Sequence, residues 1–155
     1  MKTAHIVVSD LHIGSKLGLC PPAALIDLGG HYTPNAWQEW IWDRWNDSWD
    51  WMFQKIDKIK PDYVHMSVTG DMCDIDLKGR SSQIWSRSYP VVKNVAVEIL
   101  EPIVNKVDTL MVVKGTEAHN GLSNDIEDLV ADDFINSVPC EETGEPAWWS
   151  AEAMG

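Results

Sequence analysis

The stretch Ile6–Gly14, IVVSDLHIG, sets the reading of this chain. Three β-branched apolar residues end abruptly at Ser9. A carboxylate and an imidazole, Asp10 and His12, then stand one residue apart, and Gly14 comes next. Strands must end somewhere, and polar residues at their ends are ordinary. Alternatively, the strand is a stalk that presents a pair of metal ligands. The residues just after the other strands decide between the two.

Two more runs share this character: Tyr63–Thr69 (YVHMSVT) and Thr109–Val113 (TLMVV). With Ala4–Ser9 they lack clean alternation and are rich in Val and Ile, which predicts strands buried on both faces, as in a parallel sheet. Helical patterns separate them. Trp37, Ile41, Trp45, Trp49, Met52, Phe53, Ile56 and Ile59 recur at three- and four-residue spacing, with Glu39, Asp43, Asp47, Asp50 and Asp57 off the stripe. Asn35 reads as the N-cap and Pro61 as the stop. Trp40 and Trp51 share a different face, and either cover a neighbouring segment or form a partner surface. A second stripe, Val92, Val95, Ala96, Ile99, Ile103 and Val107, spans Pro90–Val107, with Pro102 expected to kink or split it. A third helix is expected from about Asn124 to Phe134. There Ile126, Leu129, Val130 and Phe134 face inward, Glu127 completes a capping-box-like start, and Asp125, Glu127, Asp128, Asp132 and Asp133 form a wet face.

The order strand, helix, strand, helix, strand, helix is the βαβ grammar of an α/β fold, a parallel β-sheet with right-handed crossovers. Leu17–Pro34 reads as a long Gly- and Pro-rich loop, and a loop of that length in a small domain is usually functional. The segment from Val138 to Gly155 shows no clear element and is expected to be an irregular tail.

A chain of 155 residues with 45% hydrophobic content is long enough for one domain with a sizeable core. It shows no signal-peptide pattern and nothing near the length of a membrane span, so a cytoplasmic protein with no membrane partner is expected. Cys20, Cys73 and Cys140 are widely spaced and odd in number, which argues for reduced structural thiols rather than a disulfide framework or a zinc motif. The net charge of -12 is a poor footprint for gripping nucleic acid by its phosphates. It leaves room for a phosphorylated substrate at a site whose sign is reversed by bound cations.

Each strand is succeeded at once by potential ligands. Asp10 and His12 come after the first; Gly70-Asp71, with Asp74 and Asp76 close behind, after the second; and Gly115-Thr116-Glu117-Ala118-His119 after the third. In a parallel sheet the three clusters meet at one carboxyl edge, where α/β folds place their ligand sites. Such a crowd of carboxylates is costly unless neutralised, and a divalent cation is the natural remedy. Oxygen and nitrogen donors without thiolate suit manganese, iron or zinc, and carboxylate-rich sites also suit magnesium. Gly70 and Gly115 let the chain turn off its strands. Asp74 reads equally as a turn cap or a ligand, and Asp76 as surface. His5 and His65, inside strands, read as packed core histidines, and His31 as a solvated loop residue.

DLH (Asp10–His12), GDMCD (Gly70–Asp74) and GTEAH (Gly115–His119), in this order and after these strands, resemble the calcineurin-like metallophosphoesterase family. That family's pattern is DxH, GDxxD, GNH with an acid after it, and later histidines ending in GHxH. SDLHIGSKLGLCPP, the tryptophan-rich helix and GTEAHNG together look like a phage-encoded branch of it. The third motif departs from the pattern, with Thr116 at the Asn position.

The resemblance implies a dinuclear metal-dependent phosphoesterase acting on a phosphomonoester or phosphodiester, nucleotides or nucleic acid among them. Its metals would be divalent ions, manganese first. Asp10 and His12 would hold one metal, Asp71 would bridge both, Glu117 would serve as a ligand, and His119 would be the catalytic proton donor or itself a ligand. No histidine comes after His119. The resemblance therefore implies one domain, 1–155, equivalent to the first half of the family's α/β/β/α sandwich, completed by a second chain or a missing C-terminal half. The alternative is a catalytically incomplete half-domain that only binds metal or a partner.

Overall fold

The apolar runs are strands, at almost the ranges read from the sequence. The computed structural model describes residues 1–26, 29–75, 82–116, 119, 126–135 and 148–151. Along the chain run β1 (Thr3–Ser9), β2 (Ala24–Leu25), β3 (His31–Tyr32), α1 (Ala36–Ile59), β4 (Tyr63–Thr69), α2 (Tyr89–Val104), β5 (Thr109–Val113), α3 (Ile126–Ile135) and β6 (Trp148–Ala151). The main sheet has the order β1-β4-β5-β6 and every pairing is parallel. This is an α/β fold with a parallel sheet and helical crossovers.

Because the strands cross the sheet in chain order, right-handed crossovers all fall on one side of it. On that side alternate strand residues are buried: Ile6 of β1, Val64, Met66 and Val68 of β4, Leu110 and Val112 of β5. They share one core with Val92, Val95, Ala96 and Ile99 of α2 and Ile126, Val130 and Phe134 of α3. The opposite face is open along β1, where Val7 is 58% exposed. The expectation of strands buried on both faces is therefore corrected: a sheet with its helices on one side needs apolar residues at every second position only. His5 and His65 lie on the open side, exposed and half-buried respectively, and are not core residues.

α1 begins in a capping box. The Asn35 side chain accepts from the backbone of Trp37 and Gln38, and the Gln38 side chain accepts from Asn35 N–H at 3.1 Å. Gln38 is fully buried and donates from Nε2 to the Ser15 carbonyl at 3.0 Å, tying the start of the helix to the loop after β1. Trp49 is buried, with Trp45 and Phe53 packed around it. The ends of the expected stripe, Trp37 and Ile59, are exposed instead, because the helix outruns the core beneath it.

Three further expectations change. Pro102 neither splits nor ends α2: the helix runs through it for two more residues, one ladder hydrogen bond short near its end. The Leu17–Pro34 segment is not a bare loop: it carries the β2–β3 hairpin and buries Leu19, Cys20 and Ala24. The tail contains β6, a strand too short to show a period in sequence; the rest of 138–155 lies outside the described residues. In α3 the face is rotated from expectation, with Glu127 buried and Leu129 exposed. Asn124 and Asp125 lie outside the described residues. Cys20 and Cys73 are free and buried, and burial, with Glu98 nearby, pushes the Cys20 thiol up to about 12. Cys140 lies outside the described residues. Among the described residues no helix is long and apolar enough to cross a membrane.

Candidate metal centre

The loops after β1 and β4 are joined backbone to backbone beyond the ends of their strands. His12 N–H donates to the Asp71 carbonyl at 3.0 Å, Ile13 N–H to Met72 at 2.9 Å, and Asp74 N–H back to Ile13 at 2.7 Å. Asp10 and His12 take left-handed backbone conformations, φ +55° and +48°, uncommon for residues with a side chain. Such conformations persist where the surroundings over-determine them, and they cluster at functional sites. Gly14 is required on two counts: its φ is +106°, and a Cβ there would lie 2.3 Å from the Asp74 carbonyl oxygen. The glycine of the opening stretch thus lets the first motif press against the second. Gly70 also turns off its strand with a positive φ, as read from the sequence.

The third motif closes over this pair. Thr116 donates to Asp71 Oδ1 from its backbone N–H at 2.6 Å and from its hydroxyl at 3.0 Å. His119 accepts Ile75 N–H at its carbonyl, 2.9 Å away, and its Nε2 stands 3.5 Å from Asp71 Oδ2. Asp74, buried, accepts at a single oxygen from two imidazoles: His12 Nδ1 at 3.1 Å and His119 Nδ1 at 2.6 Å. The two rings meet edge to face with centroids 4.8 Å apart.

An ionised carboxylate only accepts hydrogen bonds, so a ring that bonds to it through Nδ1 carries its proton there, and such a ring when neutral keeps its lone pair at Nε2. That is how a carboxylate prepares histidines as metal ligands. His12, Asp71 and His119 each place a ligand atom within 4.8 Å of the others'. Comparison with family models, curated proteins and solved structures returns no match.

The sequence-derived candidates fare unequally. His12 and Asp71 come together at the carboxyl ends of neighbouring strands, and His119 joins them. Asp10 is close, with Oδ1 4.0 Å from His12 Nε2, but its side chain is 62% exposed and lies outside the three-residue group. Glu117 and Asp76 lie outside the described residues. His31 is an exposed residue of β3 and is no part of this cluster. Two residues count for more than the sequence showed. Asp74 is the common acceptor of both histidines, a role hinted at only by its position three residues after Asp71. Thr116, poor as a ligand, fixes Asp71 Oδ1 and leaves Oδ2 facing His119.

The chemistry of the donor set fits a divalent cation. Among the described residues the ion pairs of Asp71 and Asp74 are made with histidines, which are charged only when protonated. Two imidazole nitrogens and a carboxylate oxygen suit manganese, iron or zinc. Beneath the site, burial and then the charges of Glu127 and Asp74 hold the Cys73 thiol well above its ordinary range, so it remains a neutral, packed group.

Proposed function

We propose that the chain is a divalent-metal phosphoesterase domain whose centre is built on His12, Asp71 and His119, in keeping with its resemblance to the calcineurin-like metallophosphoesterases. The observation that carries this reading is the single Asp74 oxygen within hydrogen-bond distance of both Nδ1 atoms, beside a group in which His12, Asp71 and His119 each place a ligand atom within 4.8 Å of the others'. Surface clusters of acid and histidine are common, but a buried carboxylate serving two imidazoles at a sheet's carboxyl edge is a costly arrangement without a ligand to reward it.

His12, Asp71 and His119 would hold the cation, with Asp10 at the mouth as a further oxygen donor. A bound divalent cation supplies Lewis acidity toward a phosphoryl oxygen and a template for orienting the ester. Thr116 keeps Asp71 from rotating away. Asp74 lies within hydrogen-bond distance of His119 Nδ1, which leaves Nε2 as the atom that would hold the cation and commits His119 to a ligand's role rather than a proton donor's.

One observation favours a second reading, a metal-binding module without turnover. Among the described residues there is one ligand group of three, where a dinuclear phosphoesterase needs two. Titration calorimetry with manganese and with zinc, and then hydrolysis of bis(p-nitrophenyl) phosphate, tests both. One metal per chain with turnover supports the enzyme, and one metal without turnover supports the module. No metal binding, or binding unchanged in Asp71→Asn, overturns both.

A further inference from the structure

Opposite its buried stripe, α1 carries a second one. Trp37, Trp40, Arg44, Asp47 and Trp51 stand at spacings of three, four, three and four, the a/d rhythm of a helix that pairs with another helix. Trp37, Trp40 and Trp51 are 51%, 54% and 59% exposed. Three exposed tryptophans on one helix face exceed the scattered apolar residues of an ordinary surface. Trp37 and Trp40 stack with centroids 5.2 Å apart, and Lys55 lies over the Trp51 ring at 5.5 Å. Arg44 and Asp47, between the two aromatic ends, pair at 2.9 Å on the surface.

The stripe is self-complementary. Rotating a second α1 about a two-fold axis between Trp45 and Asn46 places Trp40 of one copy opposite Trp51 of the other. It also places Arg44 of one copy opposite Asp47 of the other. The four charges at the axis then alternate in sign. A face built for an unrelated partner has no reason to set both its aromatic and its charged residues about one axis. Anionic membranes and nucleic acid are poor occupants, because α1 has five acidic and three basic residues in a chain of net charge -12.

We propose that this face binds a second copy of the chain, α1 against α1, antiparallel and two-fold symmetric. Such a contact is isologous and closes at two subunits. A single helix pair lies at the small end of specific interfaces, so the association is weak and depends on concentration.

Sedimentation velocity on the full chain over a concentration series tests this. The wild type is expected to move from monomer to dimer. Arg44→Asp and Asp47→Arg alone each set like charges across the axis and should weaken dimerisation by about tenfold or more. An equimolar mixture of the two variants should dimerise at least as well as the wild type. Neither variant can re-form its own Arg44–Asp47 pair, so rescue on mixing reports the pairing between copies. A wild type that stays monomeric, single variants that dimerise like the wild type, or a mixture without rescue each overturn the proposal. Circular dichroism on the exposed-site variants verifies that the helix is intact.

Discussion

Two pairs of histidines face one another in this molecule, and only one of them has a carboxylate behind it. His12 and His119 lie at the carboxyl edge of the sheet with ring centroids 4.8 Å apart and planes inclined by 61°. His5 and His65 lie on the open sheet face at 4.6 Å and 56°. The residue types and spacings are nearly the same, and the partners differ. At the edge, both Nδ1 atoms are committed to the Asp74 carboxylate, which leaves both Nε2 atoms as acceptors. On the face, Ser67 Oγ lies 2.8 Å from His5 Nε2 and 3.4 Å from His65 Nε2, and Thr109 Oγ1 takes His65 Nδ1. A hydroxyl donates or accepts as required, so it fixes no tautomer and occupies the nitrogen a metal would need. Proximity makes a pair of histidines; the acceptor behind them sets which nitrogen stays open.

The sharpest way to break this comparison is to delete one ring from each pair. His119→Ala is expected to lower manganese or zinc affinity by more than about 100-fold, beyond what loss of an outer-shell partner costs. His5→Ala should leave that affinity unchanged by calorimetry. Equal losses would mean that the metal, if bound, sits elsewhere. A smaller effect is expected from Asp74→Asn, which keeps shape and removes charge. Metal affinity should fall by about 10- to 100-fold, the range typical of carboxylates that orient metal-binding histidines. An unchanged affinity would make Asp74 a structural bystander.

The smallest effect belongs to the open face. Burial first, and His5 second, hold the His65 imidazole below the usual histidine range. A folded-state pKa below the unfolded one means that neutral His65 favours folding. Its contribution is complete above the ordinary histidine value and is lost as the pH falls through the lowered folded one. The thermal midpoint should therefore decline on acidification through the histidine range, and His65→Gln should flatten that part of the profile. A profile unchanged by the substitution would show that Ser67 and Thr109 stabilise the charged ring as well as the neutral one.

Much of the fold and site was legible in the residues themselves. β-branched runs marked β1, β4 and β5, because such side chains suit a pleated surface. Asn35 marked the start of α1. The convergence of Asp10, His12, Asp71 and His119 on one edge came from strand direction alone. What escaped had physical causes. Sequence order across the sheet cannot be read from runs of Val and Ile, so the open face and the true setting of His5 and His65 were hidden. Asp74 looked ambiguous because its meaning depends on two imidazoles 62 and 45 residues away. Thr116 looked like a failed ligand because a residue that steadies a ligand has no composition of its own. β6 was invisible because four residues show no period.

The backbone bonds that join the loops after β1 and β4 also bear on how the protein comes into being. A chain emerging from the ribosome presents His12 long before Asp71 and Asp74, and those residues must dock before the first motif has a shape. Until β4 pairs with β1 across the whole of α1, His12 has neither its acceptor nor the carbonyl that receives its N–H. The closing residue, His119, arrives later still. On the proposed reading metal capture is therefore an event of the finished sheet and not of any nascent fragment, and metal added during refolding should bind only after the parallel strands have paired.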